Sequence, residues 1–323
     1  MEEIKQELKR GNIRNLYLLH GEERFLVNHY AKAIEDLAGE EKTVFDGNIP
    51  PEEIIMAAET VPFFSQFTGK RLLLVRDSKL FAAGRKDDSE KIADYLEKIP
   101  PDTVLLFIET EIDRRIRSYK KAAELGAAID CAPLSPPNLT KWLTRLFKNK
   151  TINGATINHI IRTCGNNMTT LNNEATKLQH YCANKPDITI TDVNAICTPT
   201  LESKIFDLTK AMGAGRTGDA LKMYNDMLTL KESPIMILTM IIRQLRIILL
   251  CKCHAEKHTP NIQIARELNI RDFVVSEALL HGKRFTKQSL IAALESCQST
   301  DIKIKTGLIS PELGVEILLV SLS

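Results

Sequence analysis

Near residue 131 the sequence changes its rhythm, and that change limits what the chain can fold into. Upstream, short apolar runs alternate with helical patterns. Thr103-Val-Leu-Leu-Phe-Ile108 is a continuous apolar run bounded by Pro101 and by charges, the mark of a strand covered on both faces in a parallel sheet. Asn15-Leu-Tyr-Leu-Leu-His20 and Arg71-Leu-Leu-Leu-Val75 have the same character, and Thr43-Val-Phe45 and Ala127 to Ile129 read as shorter strands. Between them Phe25, Leu26, Tyr30, Ile34 and Leu37 make one helical stripe. Glu52 to Thr60, behind Pro50 and Pro51, makes a second, and Ser89 to Ile99 a third. Alternation of this kind gives an α/β domain with a mainly parallel sheet.

Cys131-Ala-Pro-Leu-Ser-Pro-Pro-Asn138 holds three prolines in eight residues, where the strand pattern stops. Beyond it apolar residues recur every three or four positions. Helices are expected at Leu139 to Phe147, Ala155 to Cys164, Thr169 to Cys182 and, capped by Thr191-Asp192, Val193 to Cys197. After a second break at Thr198-Pro-Thr200 come Leu201 to Met212, Thr217 to Leu230, Pro234 to Lys257, Asn261 to Leu268, Phe273 to His281, Lys287 to Cys297 and Pro311 to Leu322. The expected division is an α/β domain over 1–137, a small helical domain over 138–199 and an all-helical domain over 200–323.

The 323 residues, 44% hydrophobic, are enough to bury a core and exclude a disordered chain. Lys and Arg number 43 against 41 Asp and Glu, so no large positive field supports strong free-standing binding of nucleic acid. The opening Met-Glu-Glu-Ile-Lys-Gln-Glu lacks the apolar core of a secretory signal, and Arg243 and Arg246 interrupt the apolar stretch Pro234 to Leu250. A cytoplasmic protein with no membrane span is expected. Seven scattered cysteines are an odd number and read as reduced thiols. Cys251, Cys253, His254 and His258 are close in sequence, but a helix turns Cys251 and Cys253 apart, so no metal site is expected there.

A phosphate-binding P-loop, G-x-x-x-x-G-K-[ST], would sit after the first strand, where Gly21 stands. Leu26, Val27 and Asn28 occupy its Gly, Lys and Ser/Thr positions, so a phosphate would meet two aliphatic side chains and no ammonium. Either a nucleotide-binding fold has lost its ligand or the unit is an unrelated βα turn. Gly213-Ala-Gly215-Arg-Thr-Gly218 matches G-x-G-x-x-G but follows a helix, and reads as a helix–helix turn. No H-E-x-x-H, G-x-S-x-G or paired acidic motif is present, so no catalytic residue and no cofactor is expected. Gln263 to His281 has the spacing of a helix-turn-helix, but Arg271, Asp272 and Glu277 roughly cancel in charge. Bundle packing and DNA reading both remain open for it. Val61-Pro-Phe-Phe-Ser-Gln-Phe-Thr-Gly-Lys70 places three of the chain's 11 phenylalanines between a helix and a strand. Phe63 and Phe64 either plug their own domain's core or face a partner.

Taken in order, Leu16-Tyr-Leu-Leu-His-Gly-Glu-Glu23, Pro62-Phe-Phe-Ser65, Lys70-Arg-Leu-Leu-Leu-Val75 and Asp113-Arg-Arg115 resemble the delta-subunit family of bacterial DNA polymerase III clamp loaders. The resemblance continues at Gly165 to Glu174 with Lys177-Leu178, Ser233 to Leu238 with Arg243-Gln-Leu-Arg246, and Asp301 to Gly307. It implies an AAA+-like domain without nucleotide hydrolysis, a helical lid and a helical collar that assembles with the ATPase and delta-prime subunits of the loader. It further implies that Phe63 and Phe64 dock on the sliding clamp (beta) and favour its open interface, with primed DNA met only inside the assembly. Two departures stand out: Gln66-Phe-Thr-Gly69 lengthens the connection to the next strand, and Arg271-Asp272 replaces the family's usual His-Pro. The rival readings are a helix-turn-helix DNA regulator and an NTPase with an atypical phosphate site.

Overall fold

The computed structural model describes residues 2–60, 69–125, 128–270 and 272–322. They form two compact units, divided between Ser135 and Pro136. The first runs α1 (Glu2–Lys9), β1 (Leu16–His20), α2 (Arg24–Ala38), β2 (Lys42–Asp46), α3 (Pro51–Glu59), β3 (Arg71–Arg76), α4 (Lys86–Tyr95), β4 (Thr103–Glu109), α5 (Arg117–Glu124) and β5 (Ala128–Asp130). Its sheet has the order β2-β3-β4-β1-β5 and every neighbouring pair is parallel.

Burial follows position in the sheet. All seven residues of the central β4 are buried, whereas β2, at one edge, is mostly exposed. Leu16, Leu18, Leu73, Val75, Leu105 and Phe107 point to one face and pack with Ile54, Ala58, Phe81, Ile92 and Ala122. Their strand neighbours Tyr17, Leu19, Leu72, Leu74, Val104 and Leu106 are buried on the opposite face, with α2 contributing Leu26, Val27, Tyr30 and Ile34. Each such aliphatic side chain contributes about 1.5–3 kcal/mol on burial. Two-sided burial is why these strands read as unbroken apolar runs.

The second unit begins with α6 (Pro136–Leu146), β6 (Thr151–Ile152), α7 (Gly154–Cys164), α8 (Met168–Tyr181), β7 (Asp187–Ile188) and α9 (Ile190–Ile196). It continues with α10 (Leu201–Met212), α11 (Thr217–Thr229), α12 (Pro234–Glu256), α13 (Asn261–Glu267), α14 (Asp272–Gly282), α15 (Lys287–Lys305) and α16 (Pro311–Leu322). Helix α12 is long and apolar enough to cross a membrane by length and composition. Here Ile237, Leu238, Ile241, Leu245, Ile248 and Cys251 along it are buried in the core that α10 to α16 share.

Several elements differ from expectation. α1 and α5 were not foreseen, and β6 pairs with β7 in a short parallel ladder within what reads as purely helical sequence. The cap of α9 is Thr189 rather than Thr191. The Thr189 side chain accepts from the Asp192 N–H and the Asp192 carboxylate accepts from the Thr189 N–H, a reciprocal capping box that brings Ile190 into the first turn. Finally, α4 runs over Lys86–Tyr95 rather than 89–99, with Asp87 and Asp88 favoured at its positive N-terminus.

Candidate functional site

Phe63, Phe64 and Phe67 lie outside the described residues. What the structure gives is how the segment 61–68 is rooted. On one side α3 ends at Thr60, whose N–H and hydroxyl both donate to the Met56 carbonyl, at 2.9 and 2.7 Å. The Arg71 side chain, 9% exposed at the start of β3, reaches back beneath that end. Its guanidinium donates to the carbonyls of Thr60 and Ala58 (2.9 Å for Ala58), to Ala57 O at 3.5 Å and to the Thr103 hydroxyl at 2.9 Å. The last carbonyls of a helix lack intrahelical partners and carry its negative dipole end, so a planar cation with several donors satisfies both needs at once.

On the other side the Lys70 N–H donates to Ala38 O at 2.8 Å and the Lys70 ammonium to Asn15 Oδ1 at 2.7 Å. Gly69 has φ +156, and a Cβ there would sit 3.1 Å from Ala38 O. Both ends of the aromatic segment are thus fastened to the sheet and to α2. In the sequence Arg71 reads as the first residue of a strand. Its role was invisible because the acceptors are main-chain carbonyls, which leave no trace in residue types.

The turn after β1 explains the fate of the phosphate site. A Cβ on Gly21 (φ +126) would lie 2.6 Å from the Cys131 carbonyl carbon and oxygen, so the chain leaving β5 is seated against the turn. Glu23 N donates to Cys131 O at 2.9 Å, and the Glu23 carboxylate accepts from Phe25 N at 3.1 Å. The positive N-terminus of α2, where a P-loop protein holds phosphate, carries the chain's own carboxylate. Leu26 and Val27 point into the core, and Asn28 is exposed. Backbone, carboxylate and two aliphatic side chains therefore replace the amides, ammonium and hydroxyl of a nucleotide cradle.

The carboxyl ends of parallel strands are where ligands bind in such sheets. Here they carry two buried titratable groups. Burial lowers the His20 pKa, opposed by the Asp130 carboxylate with its Oδ1 4.0 Å from Nδ1, while Arg114 adds to the lowering. Burial pushes Glu109 up to about 7, against hydrogen bonds from the Ser78 hydroxyl and from the Ser78 and Lys79 N–H groups, each N–H at 3.1 Å. Arg114 and Arg115 beside them are matched by Asp130 (2.7 Å) and Asp113 (2.8 Å). Glu109 serves as an acceptor for the bend 77–79, in which Asp77 and Lys79 both have positive φ.

The remaining motifs resolve into packing. Gly213 ends α10, with Gly215 at φ +68 in the turn, and a Cβ on Gly213 would strike the Phe285 ring at 2.4 Å. Cys251 is buried while His254 pairs with Glu267 at 3.3 Å, so the cluster near α12's end does not converge. In the helix-turn-helix candidate, Ala265, Val275 and Ala278 belong to the bundle core and Glu277 meets Arg162 at 3.3 Å. Val275 and Ala278 thus turn one face of α14 into the bundle core.

Comparison with known proteins agrees with this architecture. A family model for the DNA polymerase III delta subunit matches residues 17–132, and one for the delta subunit's C-terminal domain matches residues 202–322. The DNA polymerase III subunit delta of Bacillus subtilis (strain 168) is 26% identical over 338 residues, 99% of this chain and 96% of that protein. The probable DNA polymerase III subunit delta of Aquifex aeolicus (strain VF5) is 22% identical, covering 69% of this chain and 66% of its own. Among solved structures, the Bacillus subtilis DNA clamp loader delta protein superposes with a TM-score of 0.70 at 24% identity, over 99% of this chain and 98% of that one, a likeness of fold. With both of its terminal portions matched to one family and its full length aligned to a member, this chain belongs to the DNA polymerase III delta-subunit family.

Proposed function

We propose that this chain is the non-catalytic subunit of a clamp loader, and that it binds the sliding clamp through Phe63 and Phe64 and favours the clamp's open form for loading onto primed DNA. The observation that carries the reading is the rooting of the aromatic segment. Thr60, before the segment 61–68, and Gly69 to Arg71, after it, are fastened to the domain at two points. Fastening both flanks lowers the ordering cost of presenting Phe63 and Phe64 to a partner.

The mechanism is differential binding. A ligand shifts an equilibrium only by the difference in its affinity for the two states. If the two rings enter a groove more fully when the clamp interface is open, docking favours opening, and ATP energy enters through neighbouring ATPase subunits. Three domains serve this: the α/β domain 1–137 docks, 138–199 forms the lid, and 200–323 forms the collar that joins the ATPase and delta-prime subunits. DNA is met only within that assembly, in the cytoplasm.

Burial of two phenyl rings contributes about 3–6 kcal/mol before ordering costs. Replacing both, Phe63→Ala with Phe64→Ala, is expected to weaken clamp binding by at least about 2 kcal/mol, roughly thirtyfold, with circular dichroism unchanged. Equal affinity of a folded double variant would refute the docking role.

A further inference from the structure

Among the described residues, Cys164, Glu174 and Cys197 bring two thiol sulfurs and a carboxylate oxygen within 4.8 Å of one another, all three buried. They come from different helices. Cys164 ends α7, Glu174 lies in the middle of α8, and Cys197 follows α9. We propose that these three residues form a binding site for a thiophilic divalent cation of the zinc type, which fastens the three helices at the point where the chain passes into α10.

The geometry is close to what such an ion needs. Tetrahedral coordination with Zn–S of about 2.3 Å and Zn–O of about 2.1 Å sets ligand atoms about 3.5–3.8 Å apart, so a contraction of at most about 1 Å brings the three donors to bonding distance. The carboxylate is already aimed. Glu174 Oε2 accepts from the Thr198 N–H at 3.2 Å and pairs with the Lys177 ammonium at 2.8 Å, outer contacts of the kind that orient metal ligands. Charge also closes: two thiolates and a carboxylate carry three negative charges, which the divalent ion and Lys177 offset. Soft sulfur donors select such an ion over magnesium or calcium, and the fourth position falls to water.

Binding to the two thiols is an exchange in which one divalent ion enters, two S–H bonds break, two metal–sulfur bonds form and two protons leave to solvent. Its position gives it a consequence, because the Thr200 N–H donates to Thr163 O at 2.9 Å, next to Cys164. An ion at this point would stiffen the linker 198–200.

The test is an anaerobic titration of the full, chelator-stripped chain, reduced with a phosphine, with cobalt(II) alone. Expected are a sulfur-to-cobalt charge-transfer band saturating at one equivalent, its displacement by zinc, and protection of Cys164 and Cys197 from alkylation. Apparent affinity should rise about 100-fold per pH unit while both thiols are protonated, as loss of two protons requires. Cys197→Ser should abolish the band and Cys251→Ser leave it unchanged. Should Cys197→Ser fail to fold, the alkylation map and pH slope of the unaltered chain decide alone. No saturable band in the folded chain, a band without protection of these two cysteines, or a Cys164–Cys197 disulfide formed on mild oxidation of a chain that ignores cobalt would overturn the site.

Discussion

Replacing Arg71 with alanine should loosen the root of the aromatic segment without touching the segment itself. The guanidinium spans the end of α3 and β4, donating to Ala57, Ala58 and Thr60 carbonyls and to the Thr103 hydroxyl. Hydrogen bonds involving a charged group contribute about 1.5–3 kcal/mol each, but water entering the vacated space recovers part of that for the orphaned carbonyls. A net loss of about 2–4 kcal/mol for the α/β unit follows. Arg71→Lys should recover less than half, since a lysine has no planar fork to reach carbonyls on two elements. Trp142, the sole tryptophan, lies in α6 of the other unit, so its fluorescence will not report the change. Amide hydrogen exchange will: protection of Leu72 to Val75 and of the last turn of α3 should fall about 30- to 1000-fold, the equivalent of that loss. Clamp affinity should drop by about tenfold, because loosening the flank raises the cost of holding the segment on the clamp. Undiminished protection at these amides, together with full clamp affinity, would refute the role given to Arg71.

Calorimetric titration of the isolated chain with ATP and magnesium should give no saturable heat, because Glu23 and the Cys131 carbonyl occupy the phosphate turn; micromolar affinity would contradict this. Glu109 should make the α/β unit lose stability as pH rises. Its folded-state pKa of about 7 exceeds the reference 4.5, so the unfolded chain releases the proton first. Between those values the loss reaches roughly 3 kcal/mol, and Glu109→Gln should flatten that part of the urea-midpoint profile; an unchanged slope would show that Glu109 is not the source. Asp192→Ala should cost the second unit about 1–2 kcal/mol through the α9 capping box, read by Trp142 fluorescence. Lys185 and Thr189 hold the Asp192 pKa down at about 2 against a reference of 3.8, so this contribution is present above about pH 4 and fades as pH falls towards 2.

The sheet was legible because burial on both faces forces unbroken apolar runs, and Thr103 to Ile108 could hardly be anything else. Helix α5 was not. Only Ser118 and Ala122 of Arg-Ser-Tyr-Lys-Lys-Ala-Ala-Glu are buried, too small to mark a stripe. The β6–β7 ladder uses two residues from each strand, below any periodic signal. At α9, Thr189 and Thr191 offer equivalent hydroxyls, and only the reciprocal bond with Asp192 distinguishes them. The absence of a phosphate cradle was readable from Leu26 and Val27, while its filling by Cys131 depends on a close approach between residues more than a hundred positions apart. Phe63 and Phe64 stand out by their concentration, but the role proposed for them comes from family resemblance. Arg71 and the Cys164–Glu174–Cys197 group depend on tertiary neighbours that no local spacing reveals.

Clamp opening is best measured directly, by a fluorescent pair placed across one interface of the purified ring, with this chain added and no nucleotide present. Docking that favours the open form should lengthen the distance with the unaltered chain and leave it unchanged with the Phe63→Ala, Phe64→Ala variant. An interface that stays closed at saturating chain, or opens equally with the variant, would contradict the mechanism.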